Sequence, residues 1–102
     1  MSKQRLWFVT YMNGNEGVAV VCNTQTLNKI KRFFPIDTTI EIKDSSQLTF
    51  YRNLIIYTLN KIDPQGTIKS LMVSPIQFED NQDGRIHLQG KGVRENMSGY
   101  FK

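Results

Sequence analysis

DSSQLTFYRNLIIYTLNKI, residues 44–62, decides whether this chain is almost all strand or a mixture of sheet and helix. At helical spacing Leu48, Tyr51, Ile55, Leu59 and Ile62 form one apolar stripe, while Thr49, Asn53 and Asn60 face water. Asp44 with Gln47, or Ser46 alone, supplies a cap for the free N–H groups of the first turn. Phe50, Leu54, Ile56 and Tyr57 lie off that stripe, and the abundance of Thr, Ile, Tyr and Phe favours extended chain instead. A strand running into the tight turn Asp63-Pro64-Gln65-Gly66 is therefore the alternative. Length tips the balance. About fifteen residues without a turn signal is long for a strand, so the helix is the preferred reading.

Toward the N-terminus, Ile36, Thr38, Ile40 and Ile42 alternate with Asp37, Thr39, Glu41 and Lys43, the period of a strand with one wet face. Just before it stands NKIKRFFP, residues 28–35, which sets three cations against two adjacent rings and stops at a proline. From Gln25 to Phe34 the spacing is helical, with Asn23 and Thr24 able to accept from the first free N–H groups. Leu27, Ile30 and Phe34 share one stripe, Phe33 lies at its margin, and Asn28 and Arg32 point away. Pro35 ends the helix, because the residue before a proline is pushed out of the α region. Earlier still, the apolar runs Leu6–Met12 and Val18–Cys22 flank the glycine-containing connection Asn13–Gly17 and read as a β-hairpin. Both runs are apolar on both faces, which places them near the middle of a sheet.

Toward the C-terminus, Thr67–Val73 reads as a strand, Pro75 marks an edge or bulge, and Ile76–Phe78 continues it. The turn Asn81-Gln82-Asp83-Gly84 then leads into a returning strand, Arg85–Gln89. Residues from about 90 to 102 are broken by glycines and read as a short irregular tail. The order predicts a single α+β domain over residues 1–102. Its sheet is mainly antiparallel, with about five strands and one or two helices packed on one face.

Composition limits the possible functions. At 102 residues with 39% hydrophobic and 22% charged side chains, the chain has globular proportions. No apolar run approaches the ~20 residues that span a bilayer, so no membrane association is expected. The opening MSKQRLWFVTYM has an apolar segment of only about seven residues and no small-residue cleavage site, so it reads as a strand rather than a secretory leader. Cys22 is the only cysteine and has no partner for an internal disulfide, which points to a cytoplasmic setting. The net charge of +4 is unevenly spread. Residues 1–34 carry five Lys/Arg against one acid, residues 35–83 four against seven, and residues 84–102 four against one. Basic ends around an acidic middle suggest an anionic partner.

Signs of catalysis are weak. His87 is the only histidine, and a four-ligand zinc site would have to add two carboxylates to His87 and Cys22. Cys22 and His87 form a conceivable nucleophile and base, but a lone cysteine in a Val-Val-Cys strand is more often simply packed. Glu79, Asp80 and Asp83 flank a turn, where acids bond their own backbone. Gly90-Lys91-Gly92 lacks the remaining glycines and the Ser or Thr of a phosphate loop. The expectation is a non-enzymatic protein without a cofactor or metal.

The remaining signal is cations interleaved with aromatic rings: Lys29, Lys31, Arg32 and Phe33; Arg52 beside Tyr51; and Lys91, Arg94, Tyr100, Phe101 and Lys102 at the end. Single-stranded nucleic acid asks for this pairing, since cations track phosphates while rings stack on bases. No helix-turn-helix or zinc-finger spacing suggests a duplex reader, and exposed aromatics on a sheet would suit unpaired bases. A single-stranded DNA or RNA partner is thus the leading expectation. The rival is a protein-interaction module, a small regulator or inhibitor acting through a sheet edge or the Tyr-Phe tail. A homodimer is compatible with either.

Overall fold

The fold is that of a computed structural model that describes residues 5–62, 72–73 and 86–102. The strand expected over residues 67–71, its continuation at 76–78, the turns at 63–66 and 81–84 and the acids at 79, 80 and 83 lie outside the described residues.

Strands β1 (Leu6–Asn13) and β2 (Glu16–Asn23) pair antiparallel with Val9 opposite Val20. The hairpin is tighter than the sequence suggested. Asn13 already pairs with Glu16, which leaves a two-residue loop with Gly14 at φ 63°, a conformation that glycine takes without steric cost. Helix α1 (Thr24–Phe33) follows directly, and the Thr26 N–H donates to Asn23 Oδ1 at 2.9 Å. It stops at Phe34, whose extended backbone (φ −138°, ψ 143°) is what Pro35 requires.

Strand β3 (Ile36–Ile42) adds to the far side of β1, and a register shift at its start leaves Asp37 without an opposite number. The helical reading of the stretch that follows holds: α2 runs Ser45–Ile62. Its first turn is capped reciprocally. The Gln47 N–H donates to Asp44 Oδ1 at 2.8 Å, and Gln47 Oε1 accepts from the Lys43 N–H at 2.7 Å. Strand β4 (Met72–Val73) pairs with β5 (Ile86–Gly90), which in turn pairs with β2. The sheet order is β3-β1-β2-β5-β4, and every neighbouring pair is antiparallel. The protein is therefore α+β, and its described residues form an antiparallel sheet with two main helices packed against it.

The helices do not share one face of the sheet, as the sequence had suggested. Leu6 and Phe8 of β1 and Ala19 and Val21 of β2 join α2 in one buried cluster, whereas Val9, Tyr11, Val18, Val20 and Cys22 join Leu27 and Ile30 of α1 in another. Topology supplies the reason. Alternate strands of an antiparallel sheet run parallel, so β2, β3 and β4 share a direction, and both α1 and α2 lie on crossovers between parallel strands. The first crossover steps from β2 past β1 to one edge, and the second returns from that edge to the other. Two crossovers of one hand travelling in opposite directions must place their helices on opposite faces. The double apolarity of β1 and β2 follows from this, because each is interior and covered on both sides.

Residues 91–102, expected to be irregular, contain a helical turn α3 (Val93–Asn96) and a 3₁₀ turn (Ser98–Tyr100). Val93 and Met97 are buried in the α2-side cluster, and Tyr100 and Phe101 pack against it.

Candidate nucleic-acid interface

Ten residues carried the expectation of a nucleic-acid surface, and the fold divides them between the two faces of the sheet. Lys29, Lys31, Arg32 and Phe33 are exposed on α1. Arg52 stands half-buried on α2, with its Nε enclosed and, among the described residues, without a hydrogen-bond partner. Lys91, Arg94 and Lys102 are exposed near α3, and Tyr100 and Phe101 are half-buried against the α2-side cluster. The sheet between the two sets is covered by helices on both sides. Neither of its faces offers the open aromatic platform that the sequence had suggested.

On the α2 side Phe8, Tyr51 and Tyr100 are engaged with one another. Tyr51 stacks on Phe8 with centroids 4.5 Å apart, and Tyr100 meets Phe8 edge-on at 5.2 Å. Burial, and secondarily the neighbouring Tyr100, pushes the Tyr51 phenol above its usual pKa, so it stays protonated near neutrality. The tail is held by its backbone as well: Thr10 Oγ1 donates to the Tyr100 carbonyl at 2.7 Å, Thr38 Oγ1 donates to the same oxygen, and an Arg94 Nη donates to the Lys102 carbonyl at 3.3 Å. Of the two fates open to Tyr100 and Phe101, docking or remaining free, the fold takes docking.

On the α1 side the arrangement is open. Leu27 and Ile30 enter the core, and Phe34 follows them onto Tyr11 at 4.8 Å. Phe33, one residue earlier, is turned outward and is 72% exposed. Helical spacing makes Lys29 the neighbour of Arg32 at i+3 and of Phe33 at i+4, and puts Gln25 one turn before Lys29. Lys31 projects on the other flank of the helix. Asn23, Gln25, Thr26, Lys29, Ile30, Phe33 and Phe34 line an open groove of about 350 Å³. No acid lies within α1. The groove therefore offers one cation, one exposed ring and amide and hydroxyl groups able to donate and accept hydrogen bonds. Gln25 and Thr26 were missed in the sequence, although Gln25, Lys29 and Phe33 recur every fourth residue and the helix was legible.

Trp7 lies at the start of this surface, and its indole N–H donates to Thr24 Oγ1 at 2.9 Å. Cys22 is fully buried beneath α1, and His87 is half-buried on β5 opposite Val20. Among the described residues no three His, Cys, Asp or Glu side chains gather at metal-binding distance, and no helix is long and apolar enough to cross a membrane. No family model, characterised protein or solved structure matches this chain.

Proposed function

We propose that this is a small non-enzymatic protein that binds single-stranded DNA or RNA on the outer face of α1. The observation that carries the reading is Phe33: a large ring left 72% exposed, one helical turn from Lys29 and at the rim of a groove that both residues line. An isolated exposed ring needs no explanation, but a ring one turn from a lysine, on a helix with two further cations and no acids, matches what an unpaired base and its phosphates require. A single strand suits the site better than a duplex, because the ring gains most from stacking on a base with an accessible face. Lys31 adds attraction from the other flank. Arg52 and the cations at Lys91, Arg94 and Lys102 lie across the sheet and contribute only to the general positive field. A cytoplasmic location is part of this proposal and accords with a sequence that holds a single cysteine.

Amide chemical-shift mapping with an oligothymidylate tests the location. Perturbations centred on Gln25–Phe34 are expected. Perturbations confined to residues 91–102 would move the site to the opposite face and refute the α1 assignment.

A further inference from the structure

The polar part of the α1 groove has a chemical bias. Ile30, Phe33 and Phe34 supply its apolar lining, and Asn23, Gln25, Thr26 and Lys29 supply the rest. Lys29 only donates, whereas the Gln25 carboxamide and the Thr26 hydroxyl both donate and accept. Asn23 Oδ1 is committed to the cap, where it accepts from the Thr26 N–H. Among the described residues no carboxylate lines the groove, so it holds a fixed donor and no group that only accepts. Its volume of about 350 Å³ is at the small end for a ligand site and suits one base better than several.

Resting on the α1 reading, we infer that the groove seats one base of the bound strand and prefers a diketopyrimidine, thymine in DNA or uracil in RNA. These bases present two carbonyl oxygens around a single ring N–H. Lys29 donates to one of the oxygens, and Gln25 or Thr26, able to act in either sense, meets the N–H or the second oxygen. The ammonium has three donors, so a bond to the base leaves others for the adjoining phosphate. Cytosine replaces one carbonyl and the ring N–H by an amino group and a bare nitrogen. Its amino group asks for an acceptor, the part that Asp and Glu play toward cytosine elsewhere, and against Lys29 it meets only another donor. Adenine brings the same amino group, and guanine brings two adjacent donor groups that want a carboxylate. Gln25 and Lys29 are exposed, so an unmatched edge keeps its water and the preference is modest.

Titration of the full chain with oligouridylate against oligocytidylate, and with oligothymidylate against oligodeoxycytidylate of the same length, tests it. Uridine and cytidine are of one size and carry the same phosphates, so the ratio of their affinities reports the base edge. Uridylate and thymidylate are each expected to bind about three- to tenfold more tightly than the cytosine counterpart. The tighter of the two pairs identifies the strand as RNA or DNA. Gln25→Glu adds an acceptor to the groove, in a first helical turn that favours an acid, and should bring the ratio to unity or invert it. Lys29→Met keeps the apolar stem without the ammonium and should weaken all four strands and abolish the ratio. Equal affinities in the wild type, with Phe33→Ala weakening both bases alike, would overturn the base preference and leave the α1 reading standing. A preference untouched by both groove variants in folded chains would overturn it too, since the edge would then be read elsewhere. Failure of all four strands to bind would remove the α1 reading and this inference together.

Discussion

Thr10 and Thr38, directly opposite each other on β1 and β3, donate their hydroxyls to one acceptor, the carbonyl oxygen of Tyr100. Thr10 is fully buried, and a hydroxyl at such a position costs free energy unless it finds an acceptor. The chain end supplies that acceptor and places the Tyr100 ring against Phe8 and Tyr51. The last residues are therefore part of the core on the α2 side.

Removing residues 99–102 should consequently destabilise the fold. Loss of the Tyr100 ring from its half-buried seat and of the shared acceptor for Thr10 and Thr38 is expected to cost roughly 2–4 kcal/mol in urea unfolding. A truncated chain as stable as the full one would show that the tail is not docked in solution.

A second consequence concerns the approach of α3 to β2. A Cβ added at Gly17 would lie 2.8 Å from the Arg94 backbone nitrogen and 3.3 Å from the Val93 Cβ. A backbone atom cannot swing aside like a side-chain tip, so Gly17→Ala should cost about 1–3 kcal/mol. Gly90→Ala, where an added Cβ meets nothing within 4 Å, is the matched control and should change stability little. Equal effects at the two positions would contradict the packing described.

Alkaline pH should loosen the same core. The Tyr51 phenol has its pKa raised in the folded state, by burial first and by Tyr100 second, so the folded chain holds this proton more tightly than the unfolded chain. Its contribution is fully present below the ordinary phenol pKa near 10 and is lost as pH rises through the higher folded value. The urea midpoint should fall above about pH 10, and Tyr51→Phe should flatten that fall. An identical alkaline profile in the variant would show that Tyr51 is not the responsible group.

What was legible in the sequence was local. Asp44 and Gln47 at capping spacing announced α2, and Pro35 announced the end of α1, because both act on neighbouring backbone. The exposure of Lys29, Lys31 and Arg32 followed from helical spacing alone. Neither the placement of α1 and α2 on opposite faces nor the docking of Tyr100 was legible. The first depends on strand order, which brings β3 beside β1 rather than β2, and the second on two threonines 90 and 62 residues away. The division of the ten candidate residues into two sets is a direct consequence of the first. The sequence put Phe34 on the apolar stripe and Phe33 at its margin, and the packing of Phe34 on Tyr11 with Phe33 turned outward agrees with that reading.

The central claim, a single strand bound on α1, is tested most directly by titrating the full chain with oligothymidylate and with a duplex of equal length at two salt concentrations. The single tryptophan, Trp7, bonded to Thr24 at the start of α1, provides the fluorescence signal. The account expects the single strand to bind more tightly, with a slope of log K against log salt of roughly −1.5 to −2 from the two or three phosphates within reach of Lys29, Arg32 and Lys31. Phe33→Ala should remove about 1–3 kcal/mol of binding while leaving thermal stability nearly unchanged. Absence of binding at low salt, or affinity unaltered by Phe33→Ala together with Arg32→Glu in a folded chain, would contradict it.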